Sequence, residues 1–140
     1  MNNRGQQPRG GVRDGDDLNY EAIIDDGNPD EIVRAAQAIS TRIKEVKSSQ
    51  IRGIFATVRQ IQLGWNERTA VQSYRSAVLL KPRIAYTAAR NEYFGLDDVL
   101  IKALDRVSVT DAGERQKRYN NFVDFFEAIV AYHKANGGRG

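Results

Sequence analysis

Two pairs of arginines are the residues in this chain whose type and spacing most directly suggest a chemistry. Arg52 and Arg59 are seven residues apart, and Arg83 and Arg90 repeat that spacing. Seven residues make about two turns of an α-helix, so each pair would line up on one flank of its helix. A guanidinium group donates two parallel hydrogen bonds to a phosphate and stacks on bases. Such rows are suited to holding a nucleic-acid backbone.

Two lysines and a tyrosine lie close in sequence to these two arginine pairs. Lys81 lies beside Pro82, Tyr86 lies between the second pair of arginines, and Lys47 follows Lys44 at the end of the first predicted helix. The alternative is a solvated helix face, on which long cationic side chains cover apolar edges with their stems. The residues alone leave both interpretations open.

This sequence contains few residues of the types that catalysis or metal binding requires. His133 is the only histidine and cysteine is absent, so a histidine-centred triad, a thiolate metal site or a cysteine nucleophile is not expected. His133 follows Val130 by three residues on the apolar face of the last predicted helix, where a packing role is expected. Asp97 and Asp98 open another helix, where carboxylates complement the helix dipole. We expect no catalytic residue, no cofactor and no metal.

Length and composition indicate one soluble domain. A chain of 140 residues with 41% hydrophobic residues can bury a substantial core. The apolar runs are far shorter than the roughly 20 residues that a membrane-spanning helix needs, and mean hydropathy is −0.56. No apolar segment follows the first basic residue, so no secretory signal is predicted. We expect a cytoplasmic protein without a membrane partner.

The positive charge is unevenly distributed along the chain. The net charge is +3, but residues 1–28 contain three basic and six acidic side chains, so residues 29–140 carry +6. Excess positive charge on a domain favours a polyanionic partner, although many ordinary helical bundles are equally basic.

Residues 1–28 lack periodicity and are predicted to be a flexible, acidic and glycine-rich tail. Four apolar residues in it predict a short docking segment: Leu18, Tyr20, Ile23 and Ile24. The ordered domain is predicted to span residues 29–140. It begins at Asn28-Pro29-Asp30-Glu31, which combines a capping asparagine, a first-turn proline and a glutamate that can reach back to the cap.

Helical periodicity continues to the end of the chain. Asn66 is predicted to cap the third helix, and Pro82 to kink or restart the helix near Lys81. Asp111 is predicted to cap the final helix, whose apolar face is Phe122, Phe126, Ile129, Val130 and His133. Gly137-Gly138 then ends that helix. No segment alternates with period two, so the prediction is an all-α, compact bundle of about five helices.

Three sequence blocks resemble the small subunit of the type III-A CRISPR (Csm) effector complex. They are Ser49-Gln50-Ile51-Arg52, the stretch from Ile84 to Arg90, and the closing stretch from Phe126 to Lys134 with its Gly-Gly stop. Ala89 departs from the pattern, since glycine is common there in the family.

The resemblance implies a non-catalytic, all-helical, RNA-binding subunit that stacks in several copies along a guide-RNA ribonucleoprotein in antiviral defence. Its implied partners are the guide RNA, the target RNA, and the large and backbone subunits of the complex. Carried over by position, Arg52 and Arg90 are the expected phosphate contacts. Four further RNA-binding residues are predicted from charge and spacing only: Arg83, Lys81, Arg59 and Lys47.

Two other functions remain open from the sequence. One is a purely structural helical adaptor, which would bridge neighbouring subunits through exposed aromatic anchors such as Trp65, Tyr74 or Phe94. The other is an unrelated basic bundle that binds DNA.

Overall fold

The computed structural model describes residues 18–140. A short π-helical turn, Glu21–Asp25, comes first in this part of the chain. Six α-helices follow: α1 Pro29–Arg42, α2 Ser48–Leu63, α3 Ala70–Val78, α4 Leu80–Arg90, α5 Leu96–Asp105 and α6 Ala112–Ala135. The described residues contain no strand. The predicted all-α bundle is therefore confirmed. No helix among residues 18–140 is long and apolar enough to cross a membrane.

The predicted starts of the first and last helices are confirmed by their capping hydrogen bonds. The Asn28 side chain accepts from the Glu31 amide at 3.1 Å, with Pro29 in the first turn. The Asp111 side chain accepts from the Glu114 amide at 2.9 Å. In each case a short polar side chain satisfies an amide that has no partner inside the helix.

The third predicted helix differs from its prediction at its start and agrees with it near Pro82. Asn66 does not cap it, because the Asn66 side chain accepts from the Arg68 and Thr69 amides and forms a turn before α3 begins at Ala70. The predicted kink or restart near Lys81 is a restart, because α3 ends at Val78 and α4 begins at Leu80 after the single residue Leu79. Pro82 explains the break, because its ring clashes with the carbonyl four residues earlier.

Helix α6 is the centre of the bundle, and α1, α2, α3 and α5 all contact it. Its fully buried aromatic residues are Tyr119, Phe122, Phe125 and Phe126. The Phe126 ring meets Phe55 of α2 edge-on at 5.3 Å between centroids, and Tyr119 meets Trp65 at 5.2 Å. Burying each such side chain stabilises the fold by roughly 1.5–3 kcal/mol. The predicted apolar face of this helix is correct, with Val130 only half-buried.

The packed part of the chain begins before residue 29, where the sequence placed the start of the domain. Ile23 and Ile24 are fully buried. Asp25 accepts hydrogen bonds from Arg106 and forms an ion pair with Arg118 at 3.3 Å, which fixes the segment to α5 and α6. Part of the predicted tail is therefore integral to the core, because its isoleucines complete the apolar surface of α1 and α6. The rest, residues 1–17, lies outside the described residues.

Candidate nucleic-acid interface

The first two sequence blocks meet at one end of the bundle. Gln50, near the start of α2, donates from its side-chain amide to the Asn91 side chain at 2.6 Å. Asn91 directly follows α4 and donates in turn to the Thr87 carbonyl at 2.9 Å. The beginning of α2 is therefore held against the end of α4.

The third block reaches the same end of α2. His133 is buried, and its Nε2 lies 2.9 Å from the Val46 carbonyl, to which it donates. The backbone of Gly138 packs directly on the imidazole, where a Cβ atom would lie 2.2 Å from the ring. Ser48 then donates from its amide to the Arg139 carbonyl at 2.7 Å. The predicted packing role of His133 is confirmed, and Gly138 is required for a close approach.

Arg52 and Arg59 lie on the flank of α2 that faces α6. Arg52 is exposed and borders a pocket of about 320 Å³ together with Val130, Ala131 and Lys134 of α6. Arg59 lies near Asp124. Asp124 is exposed as a residue, but partial burial of its carboxyl and the neighbouring Glu127 raise the pKa of that group, and the positive charge of Arg59 opposes the rise. Neither arginine forms an ion pair among residues 18–140.

Arg83, Tyr86 and Arg90 form an exposed row on α4. Their spacing of three and four residues places them on one side of the helix. Arg90 donates to the Tyr86 hydroxyl at 3.0 Å, and its guanidinium carbon lies 5.7 Å from the ring centroid. Helix α4 contains no carboxylate, and neither arginine pairs with one within the described part of the chain.

The arginine row of α2 lies on a different flank of that helix from the one that contacts the end of α4. Ile51 is buried in the core, with Gln50 about 100° to one side of it and Arg52 about 100° to the other. Gln50 contacts the end of α4, whereas Arg52 borders α6. The structure therefore brings the sequence blocks together and places Arg52 on the flank of α2 opposite Gln50, the residue that contacts the end of α4.

The two predicted lysines differ in their availability. Lys81 forms an ion pair with Asp105 of α5 at 2.6 Å, so its charge is already partly compensated. Lys47 is exposed at the residue before α2, with its side chain taking no part in the helix cap.

A concentration of positive charge extends beyond the predicted residues. From Val46 to Asn91 the chain holds eight basic side chains and one acidic side chain, a net charge of +7, so the remainder of the sequence carries −4. This segment contains α2, α3 and α4, which contact one another in order. The prediction omitted Arg68 and Arg75, both exposed. A count of charge along the chain would have identified them.

A groove lies between α4 and the loop that follows it. It has a volume of about 620 Å³, and Ala85, Ala88 and Ala89 line it on the α4 side. Arg90 forms part of its border, and Phe94 lies on the loop side. Phe94 has φ of +53° and is 42% exposed. A bulky residue in this left-handed conformation is a rare and strained feature.

The other two aromatic anchors suggested for an adaptor are not freely exposed. Trp65 is only 6% exposed and packs on Tyr119, so its assignment as an exposed anchor is wrong. Tyr74 is half-buried beneath the Arg115 guanidinium, 3.9 Å from its ring centroid. Core contacts to α6 explain both positions.

A protein-family model matches most of the chain. The model of the Csm2 Type III-A family matches residues 26–139, which is most of the chain. No curated protein and no solved structure matches it. The matched range begins just before α1 and ends beside the Gly138–His133 contact, so it includes all six α-helices. The chain therefore belongs to the Csm2 Type III-A family, and is a small subunit of the type III-A CRISPR Csm complex.

Proposed function

We propose that this subunit holds the target RNA, or the guide–target duplex, through contacts to the sugar-phosphate backbone and performs no chemistry itself. The observation that carries the proposal is the arginine row of α4, Arg83 and Arg90, which is exposed and has no carboxylate partner among the described residues. It belongs to the segment whose net charge is +7.

Backbone contacts suit a complex in which base pairing reads the sequence. The guide RNA selects the target, so a protein subunit needs only to hold the strand in place. Guanidinium groups do this through paired hydrogen bonds to phosphate oxygens. Arg83 and Arg90 are separated by about 10 Å along the helix axis, so they would contact different phosphates.

The α2 flank would supply a second set of contacts. Arg52 is the leading residue there, with Arg59 and Lys47 adding positive charge. Lys81 contributes least, since Asp105 already pairs with it. Arg52 lies on the flank of α2 beside α6, whereas Arg90 lies at the end of α4. The two residues would therefore hold different stretches of nucleic acid or different strands of a duplex.

A bridging role between neighbouring subunits is the second part of the proposal. Leu63 and Val71 lie near the turn between α2 and α3 and are 74% and 78% exposed. The core of a protein interface buries apolar side chains, and these two are available for such a contact. Self-association and contact with the backbone subunits would bury them.

Crosslinking within the assembled complex tests the proposal. The expected result is RNA crosslinks to peptides from α2 and α4, and few to peptides from α1 or α5. A subunit that is incorporated at normal amounts but crosslinks to RNA nowhere in α2–α4 would be a structural adaptor.

A further inference from the structure

We infer that Tyr86, held in place by Arg90, is a stacking surface for an unpaired nucleobase, and that the groove that Arg90 also borders admits that base. The inference rests on the proposed function and deepens it, because it adds base contact to backbone contact. Its ligand is a single-stranded ribonucleotide whose phosphate lies on the arginine row.

The first reason is the exposure and orientation of Tyr86. Its side chain is on the outside of α4, and 63% of the residue is exposed. Arg90 donates to the hydroxyl at 3.0 Å and has its guanidinium 5.7 Å from the ring centroid, so the ring is positioned before any ligand arrives. Restricting an aromatic ring in advance lowers the entropic cost of stacking a base on it. Base stacking on aromatic and arginine side chains is the usual basis of single-strand binding.

The second reason is the shape of the adjacent groove. Alanines at positions 85, 88 and 89 leave open space along α4. Its volume of about 620 Å³ falls in the range of small-molecule sites, roughly 300–1,000 Å³. Phe94 borders the groove on the loop side, in a strained left-handed conformation that leaves its ring partly exposed. Arg90 borders both this groove and Tyr86, so a base and its phosphate could be bound together.

The third reason is the distribution of charge. Glu92 and Asp97 line the groove, and carboxylates repel a phosphate. Arg83 and Arg90 lie on the outer row of α4, where a phosphate is attracted. An uncharged base avoids the repulsion from the carboxylates in the groove, and its phosphate is attracted to the arginines outside it. An acidic peptide would place negative charge beside the carboxylates. Stacking requires only a π-face, so the site would accept any of the four bases.

The test compares Tyr86→Leu with Tyr86→Phe in the full-length protein. Leucine keeps the apolar volume and removes the π-system, whereas phenylalanine keeps the ring and loses only the bond to Arg90. The probes are two fluorescent strands of equal length, one a single-stranded RNA and the other the same ribose-phosphate chain without bases. Kd is measured by anisotropy, with circular dichroism to confirm that each variant is folded.

The expected result is that Tyr86→Leu weakens RNA binding by about tenfold, as stacking of one base predicts, and that Tyr86→Phe stays within about twofold of the wild type. On the strand without bases all three proteins should bind equally. Equal RNA affinity for Tyr86→Leu and the wild type overturns the inference, and so does an equal loss on both strands. A loss of subunit association without a loss of RNA affinity would identify Tyr86 as a protein contact and also overturns it.

The failure of this inference can be told apart from failure of the proposed function. If the wild-type protein binds both strands and Tyr86→Leu changes neither Kd, the proposed contacts to the RNA backbone are retained and the base-stacking inference fails. If the wild type binds neither strand, both the inference and the proposed function fail.

Discussion

Gln50 and Asn91 are joined by a 2.6 Å side-chain hydrogen bond across 41 residues of sequence. This bond connects two of the three blocks on which the family resemblance depends. Each residue lies beside an arginine proposed to contact RNA, since Gln50 precedes Arg52 by two positions and Asn91 follows Arg90 directly. It therefore joins the end of α4, where its arginine row finishes, to the start of α2.

A double-mutant cycle on this pair should show a coupling of about 0.5–1.5 kcal/mol in the free energy of unfolding, the usual net value of a neutral hydrogen bond. The variants are Gln50→Ala, Asn91→Ala and their combination, measured by urea denaturation. Strictly additive effects would mean that the two side chains do not interact in solution.

The three glycines at positions 53, 137 and 138 should respond differently to alanine. Gly138→Ala should destabilise the protein by about 1–3 kcal/mol, because the new methyl group would overlap the His133 ring. Gly137→Ala should cost about 1–2 kcal/mol, since φ there is +74°. Gly53 is inside α2 with nothing within 4 Å of the added carbon, so Gly53→Ala should stabilise by about 0.5–1 kcal/mol. A Gly138→Ala protein as stable as the wild type would contradict the His133 packing.

Two buried tyrosines should differ in their need for a hydroxyl group. Tyr119 donates to the Val58 carbonyl at 2.9 Å, so Tyr119→Phe should destabilise by about 1 kcal/mol. The buried Tyr93 hydroxyl has no hydrogen-bond partner within the described residues, so Tyr93→Phe should be neutral or stabilising by up to about 1 kcal/mol. Thermal denaturation of both variants measures the difference. The opposite order would show that Tyr93, not Tyr119, has the important bond.

The raised pKa of Asp124 predicts a specific pH dependence. Partial burial of the carboxyl is the main cause, on a residue that is otherwise exposed, while Glu127 adds to the rise and Arg59 opposes it. Because the folded state holds this proton more tightly than the unfolded state, the carboxylate destabilises the fold at neutral pH, and that effect disappears as pH falls through the raised pKa. Asp124→Asn should therefore be more stable than the wild type at pH 7, with the difference shrinking in acid.

Arg59→Gln should raise the pKa of Asp124 further, because it removes the positive charge that favours the carboxylate. Carboxyl-carbon NMR titration measures both proteins directly. An Asp124 that titrates at or below the ordinary aspartate value in the wild type would contradict the predicted effect of burial.

Local features of this fold were predictable from the sequence because their causes are local. The Asn28 cap, the break caused by Pro82 and the Gly137-Gly138 stop each depend on residues within one turn of a helix. The arginine rows were likewise predictable within α2 and within α4, since helical spacing alone determines which residues share a flank.

Relationships between helices were not predictable in this way. Periodicity does not determine how α2 is rotated relative to α4 and α6, so the position of Arg52 beside α6 emerged only from the contacts of Gln50 and of Arg52. The Lys81–Asp105 pair and the burial of Trp65 also depend on which helices are neighbours. Ile23 and Ile24 were recognised as a docking segment, but their complete burial depends on the surfaces of α1 and α6.

RNA affinity of the charge-reversed pair Arg52→Glu and Arg90→Glu tests the central claim most directly. Its matched control is Lys44→Glu with Lys117→Glu, two exposed cations outside the proposed contacts. Anisotropy titrations of both variants and the wild type over a series of salt concentrations give affinity and its salt slope. The Arg52/Arg90 variant should remain folded, bind RNA at least tenfold more weakly than the control, and lose about 1.4 from its salt slope, as two missing phosphate contacts require. Equal affinities and equal slopes for the two variants would contradict the proposal that these arginines hold the RNA backbone.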